Sequence, residues 1–319
     1  MDVLGEMLAA LRLSGGVFVD AEFKAPWTVL SDYTPEDCAP FFEIPNQLIA
    51  YHYVRSGSFT CRIPGGPMRE VHAGEIVILP HGTPHYLHGP EPWPAPMDTQ
   101  DVLRTIDNGI LRLRGGGDGE AVTMYCGYLG TTTPDNTLLQ SLPPMMVIGI
   151  DAAQGDWVAR SLDFAAQGVA THSCEMVGKL AEGLFAEAVR RYVDGLPADE
   201  RGWLAGLRDP AVGRALALIH HRFAESWTLD ALAREAAVSK TVLADRFRAL
   251  LGEPPMQYCA RWRMKVAAEM LRDRRENAGS VAYSVGFNSE AAFNRAFKRE
   301  FGAPPATWRR DQQPAMPLP

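Results

Sequence analysis

The sequence predicts an α+β protein in two parts, a β-barrel or sandwich followed by an all-helical region. Three observations predict it. Short apolar runs broken by Gly and Pro fill residues 17 to about 130. The apolar spacing turns helical after Leu138. A block near the C-terminal end repeats itself at an interval of 50 residues. A chain of 319 residues suffices for about two domains, and 46% apolar with 22% charged residues is an ordinary globular composition.

The first stretch, "MDVLGEMLAALRLSGG", has no basic segment ahead of an apolar one and does not read as a secretory signal. No apolar run approaches the ~18 residues of a membrane span. "NQLIAYHYVRSGSFTCRI" reads as strand, Ser-Gly-Ser turn and strand. "GEIVILPHG" is an apolar run entered by Gly and left by Pro, and "AVTMYCGYL" is a further strand. Residues 89 to 120, with "GPEPWPAPMDTQ" and "RGGGDGE", have loop composition and are expected to cover one mouth of the barrel as a lid. "SCEMVGKLAEGLFAEAVRRYVDG" places Val177, Leu180, Leu184, Ala188 and Tyr192 at helical spacing, a stripe that docks on the barrel or pairs with a second subunit. "LPADERGWLAGLRDP" reads as a hinge. The expected division is 1–135 for the barrel, 136–208 for a helical linker and dimerisation region, 209–311 for the helical domain and 312–319 for a disordered tail.

The five cysteines are scattered and include no C-x-x-C pair, which speaks against a disulfide framework and for a reducing compartment. The net charge of −7 is unevenly spread. Residues 209–311 hold 17 Lys and Arg against 12 Asp and Glu, while the remainder holds 14 against 26. One end can meet an anion and the other cannot.

The repeat gives that end a purpose. "SKTVLADRFRALLGEPPMQY" (239–258) aligns with "SEAAFNRAFKREFGAPPATW" (289–308). Ser239 matches Ser289, Leu243 matches Phe293, Phe247 matches Phe297, and Gly252, Pro254 and Pro255 match Gly302, Pro304 and Pro305. Each copy is a helix with a Ser N-cap and a Gly C-cap. Each follows a short helix, "TLDALAREAAV" or "SVAYSVGFN", with small Ala233 or Ala282 where two helices would cross. This is the helix-turn-helix pattern, whose second helix enters the DNA major groove. The DNA-contacting residues expected are Ser239, Lys240, Thr241, Ala244 and Arg248 in the first copy. In the second they are Ser289, Glu290, Asn294, Arg295, Lys298 and Arg299. Arg and Lys serve phosphates or guanine, and Asn suits adenine. Gly279 in the first helix of the second copy is expected to weaken that helix by about 1 kcal/mol.

"VGFNSEAAFNRAFKREFGAPPATWRR" closely resembles the signature of the AraC/XylS family of bacterial transcription regulators, and "GEPPMQYCARWRMKVAAEMLRD" resembles its linking helix. The likeness covers residues 209–310. The preceding part resembles, in "VFVDAEFKAPW", "LPHGTPH", "CGYLG" and "GWLAGLRDP", the family's cupin-type sensor domain. The resemblance implies a cupin-like barrel or jelly roll that senses a small molecule, a metal or an oxidant. It implies a cytoplasmic regulator, a homodimer bound to double-stranded DNA, and contact with RNA polymerase if it is an activator.

Within the barrel, "LIAYHYV" places His52 on the inward face with Leu48, Ala50 and Val54, and "VTMYCGY" places Cys126 inward with Val122 and Met124. "PHGTPH" has the P-x-G-x-x-H arrangement of cupin barrels, which would point His85 inward too. His52, His85 and Cys126, with His81 as a substitute, would suit Zn²⁺ or another transition metal with one position open. Two further readings stand beside this one, a ligand pocket without metal and plain structural polar groups. His88 is expected in solvent. Cys126 could also be a redox-active thiolate. The alternative function is a cupin-type metalloenzyme fused to a DNA-binding domain. Against it, "YHYV" offers one histidine where oxygenases of that shape use a pair, so no catalytic residue is expected.

Overall fold

A computed structural model describes residues 3–9, 11, 13–38, 43–98, 102–107, 110–131, 136–150, 160–161, 164, 174–272 and 276–311. They form two compact units, a β-rich one over Leu4–Leu196 and a helical one from Pro197 onward. The expected tail at 312–319 lies outside the described residues.

The β-rich unit opens with helix α1 (Val3–Ala9) and carries eleven strands among the described residues. They are β1 (Leu13–Lys24), β2 (Thr28–Ser31), β3 (Gln47–Ser56), β4 (Ser58–Arg62), β5 (Met68–His72), β6 (Glu75–Leu79), β7 (His85–His88), β8 (Leu103–Asp107), β9 (Ile110–Gly116), β10 (Ala121–Thr131) and β11 (Met146–Gly149). Seven make one sheet in the order β11-β6-β3-β10-β1-β9-β8, and four make a second in the order β2-β7-β4-β5. The inner faces share one core. Val19, Ala21 and Phe23 of β1, Leu48, Ala50 and Val54 of β3, and Val122 and Met124 of β10 meet Phe59, Cys61 and Leu87 from the smaller sheet. Every second residue of a strand faces the same side, so this alternation is what the sequence encodes. Trp27 is fully buried there, stacked on Phe23 at 5.0 Å between ring centres.

Two sequence expectations change here. Residues 89–120 are not all loop, because β8 and β9 lie within them. Strand β9 pairs in parallel with β1, Leu111 facing Val19 and Leu113 facing Ala21. Its Leu-x-Leu alternation was hidden by the Gly run that follows. Strand β11 likewise interrupts the stretch after Leu138 that was expected to be helical, pairing Met146 with Ile78 of β6.

The expected linker 136–208 divides between the units. It begins with α2 (Thr137–Ser141). Helix α3 (Cys174–Asp194) packs on β1, β10 and β11, burying Ala181, Leu184, Phe185, Ala188, Val189 and Val193. Of the predicted stripe, Leu184 and Ala188 are buried, Leu180 and Tyr192 are half-buried, and the side chain of Val177 is outside the described residues. Helix α4 (Trp203–Arg208), expected in the hinge, packs instead against helices of the second unit.

That unit continues with α5 (Pro210–His221), α6 (Leu229–Glu235), α7 (Lys240–Leu251), α8 (Pro255–Arg272), α9 (Ala278–Ser284), α10 (Glu290–Phe301) and α11 (Pro305–Asp311). Helix α8 is the link. It packs on α5 and α7 on one side and on α9, α10 and α11 on the other. The repeat is visible atom for atom at the caps. Ser239 accepts from the Val242 N–H and Ser289 from the Ala292 N–H, both at 3.3 Å. Gly252 and Gly302 end the helices at φ of 79° and 78°. Leu243, Phe247, Phe293 and Phe297 are all fully buried. The turns differ by one residue. Thr228 caps α6 and Asn277 caps α9, 49 positions on, whereas the caps of α7 and α10 stand 50 apart. Helix α9 forms in spite of Gly279, whose missing Cβ leaves room for the Glu290 carboxylate: a Cβ there would lie 3.2 Å from its Oε2.

Candidate effector cavity and nucleic-acid interface

In the helical unit the apolar faces of α7 and α10 turn to the core, and their opposite faces turn to solvent. Lys240, Thr241, Arg248, Glu290, Arg295, Lys298 and Arg299 are exposed. Ala244 and Asn294 are half-buried at the flank, and the Asn294 Oδ1 has no partner. The hydroxyls of Ser239 and Ser289 are occupied by capping. That caps the helices and leaves their first turns to present N–H groups outward, where an anion is favoured. Two cations of α7 are held by carboxylates, Lys240 by Asp230 and Arg246 by Asp209, each at 3.3 Å. Arg246, which was not among the sequence candidates, is 52% exposed and points to the other side of the helix from Arg248.

In the β-rich unit a cavity of about 110 Å³ opens between the sheets. Its wall is mostly apolar: Val19, Ala21, Phe23, Val29, Leu87 and Leu113 among others. His52, Cys126, Ser31 and Tyr128 add polar atoms, and Tyr33, Asp98 and Arg104 also line it. Met97, Asp98, Val102 and Arg104 come from the segment expected to act as a lid. The Ser31 and Tyr128 hydroxyls hydrogen-bond each other at 2.5 Å, and Tyr33 packs on the Tyr128 ring at 4.7 Å.

His52 and His85 meet, as their strand phases required. Their Nε2 atoms are 2.8 Å apart, and the Nδ1 of His85 lies 2.8 Å from the Thr83 carbonyl oxygen. A carbonyl only accepts, so His85 carries its proton on Nδ1 and presents a bare Nε2. His52 therefore donates from Nε2, and its own Nδ1 is a bare acceptor, buried and without a partner. Burial, reinforced in His52 by the neighbouring imidazole, holds both histidines below the usual range, so both are neutral. The turn ahead of them is built for this. Gly82 has φ +60°, and a Cβ there would meet the Leu48 carbonyl oxygen at 2.9 Å.

Cys126 sits opposite His52 in the β3–β10 register. Burial raises its thiol well above the usual range, with Asp20 and Cys61 adding to the effect, so it is a neutral thiol and not an activated thiolate. His81 is exposed and reaches the Leu142 carbonyl oxygen at 3.2 Å, away from the pair. His88 is buried, contrary to expectation. It bonds the Thr28 hydroxyl at 3.0 Å and stacks on Trp93 at 4.2 Å, which anchors the lid segment to β7. Among the described residues no three side chains of His, Cys, Asp or Glu converge as ligands. The expected set of His52, His85 and Cys126, with His81 as a substitute, is not gathered as three ligands among the described residues. The facing nitrogens of the two histidines are spent on each other.

Comparison with known proteins decides what the two units amount to. A cupin family profile matches residues 2–194, and a helix-turn-helix domain profile matches residues 232–311. An AraC-like transcription regulator of Streptomyces lividans is 31% identical over 99% of this chain and 100% of its own length. The chain belongs to the AraC-like family of DNA-binding transcription regulators. An AraC-like regulator of Streptomyces antibioticus is 29% identical over 98% of the chain and 100% of its own, and the regulator AlkR of Acinetobacter baylyi 25% over 97% and 99%. The α+β architecture expected for an AraC-like chain, a cupin-like β-unit and an all-α unit with two helix-turn-helix modules, is the one observed. Among the described residues no helix is long and apolar enough to cross a membrane.

Proposed function

We propose that this AraC-like regulator is a ligand-responsive one, in which the cupin-like unit binds a small organic effector and the two helix-turn-helix modules bind double-stranded DNA in response. The observation that carries this reading is the cavity. It is mostly apolar, large enough for a small molecule, and lined in part by Met97, Asp98, Val102 and Arg104 of the segment expected to act as a lid. A binding site rather than an enzyme is favoured by its chemistry. The one carboxylate in the wall is Asp98, and the two histidines are tied to each other rather than aimed at a common point. For regulation to follow, the effector must favour one DNA-binding state over the other. In this reading the protein is a dimer, with the half-buried Leu180 and Tyr192 of α3 on its surface, and it meets RNA polymerase where it activates.

The test is fluorescence anisotropy of the full chain on promoter DNA from beside its own gene, with a library of small organic effectors, and with Zn²⁺ or Fe²⁺ alone. A change in DNA affinity with an organic compound, and none with metal, is expected. A response to metal alone would restore the metal-site reading. Turnover of an oxidisable compound with added Fe²⁺ would replace the sensor by an enzyme.

A further inference from the structure

We propose that Asp245 sets the base preference of the first helix-turn-helix module by accepting a hydrogen bond from the amino group of a cytosine in the major groove. The proposal rests on the reading above that both modules bind DNA, and it names a residue that decides which DNA is bound.

Three observations carry it. The first is position. Two residues turn an α-helix by about 200°. Asp245 stands two residues after Leu243 and two before Phe247, both fully buried, so it lies at the middle of the face of α7 opposite the core. It is exposed, with Thr241 and Arg248 one turn to either side. The second is freedom. Asp209 and Asp230 hold Arg246 and Lys240, but among the described residues no cation is paired with Asp245. The third is the repeat. At the matching place on α10 stands Arg295, exposed likewise and set between buried Phe293 and Phe297. Arg295, Lys298 and Arg299 make that outward face positive, whereas on α7 Asp245 offsets Arg248.

A carboxylate in the groove is opposed by the phosphates and adds nothing to general affinity. What it adds is choice. Guanine and thymine offer it acceptors. Adenine sets its N7 acceptor beside its amino group. Cytosine alone offers a donor with no acceptor on its own edge. Arg295, at the matching place, suits the O6 and N7 of guanine.

The test is selection of binding sites from a randomised duplex pool by the full chain, read by sequencing, for the wild type, D245A, D245N and R295A. Anisotropy on the selected duplex and on a scrambled one follows. The wild type is expected to require cytosine at a position that D245A leaves open, about one helical turn from the position that R295A leaves open. Replacing that cytosine is expected to weaken wild-type binding about tenfold and D245A binding not at all. D245A is expected to bind the scrambled duplex more tightly than the wild type does, with the gain shrinking as salt rises. D245N, whose amide both donates and accepts, is expected to move the preference towards adenine. An unchanged preference in D245A overturns the proposal and leaves the DNA reading standing. So does a D245A-sensitive position that is not cytosine in the wild type, or a loss of affinity for both duplexes in D245A. A wild type that selects no sequence at all overturns the proposal and the DNA reading together.

Discussion

Single residues carry the chemistry at both ends of this chain. Lys298 is exposed on α10, on the face opposite buried Phe293 and Phe297. Lys298→Ala is expected to weaken DNA binding by about 1 kcal/mol and to flatten the slope of log affinity against log salt by about one. Anisotropy at several salt concentrations checks it, and an unchanged slope would take Lys298 off the DNA. Individual side chains were legible to different degrees. The inward faces of His52 and Cys126 followed from strand alternation, because period two admits one answer once a neighbour is known to be core. The fate of His88 did not. Its burial depends on Trp93, a residue of a Pro-rich segment whose path has no period to read. The mutual hydrogen bond of His52 and His85 was equally hidden, since it is a contact between two sheets.

Elements were legible where both ends were punctuated. The helices of the repeat were, through Ser and Gly caps around a 3.6-residue apolar period. The parallel strand β9 was not, because its pairing with β1 is non-local and Gly115 to Gly117 read as loop. The turns inside the two modules make a paired prediction. Ala237 holds φ +57°, which costs a residue with a Cβ about 1 kcal/mol, and Gly286 holds φ +83° at the matching place. A Cβ on Gly286 would sit 2.3 Å from the Ala224 carbonyl oxygen. Ala237→Gly is expected to raise the melting temperature by a few degrees or leave it level. Gly286→Ala is expected to lower it sharply and to abolish DNA binding. Calorimetric melting of both variants checks this, and a Gly286→Ala protein that melts like the wild type would contradict the turn described here.

The whole molecule responds to acid through histidines in both units. His52, His85 and His88 of the β-rich unit are depressed below the ordinary 6.5, chiefly by burial. His220, half-buried and stacked against Tyr258 and Trp262, is pushed down to about 3, chiefly by desolvation. In each case the unfolded chain takes up a proton that the folded chain refuses. The stability these groups contribute is therefore complete above pH 6.5 and is lost progressively as pH falls below it, down to about 3 for His220. Chemical denaturation at pH 7.5, 6.0 and 5.0 is expected to show both units weakening in that order, and a midpoint independent of pH would contradict the neutral histidine pair. The one-residue difference between the turns of the two modules has a consequence on the same scale. The first helix of each module stands 49 residues from its counterpart and the second stands 50, and the side chains that α7 and α10 expose differ, so the two modules are not interchangeable. A duplicated reader whose two copies differ gives its complex with DNA a direction. The two modules present unlike surfaces to DNA, and a pair of half-sites turned end for end is, to one chain, a different site.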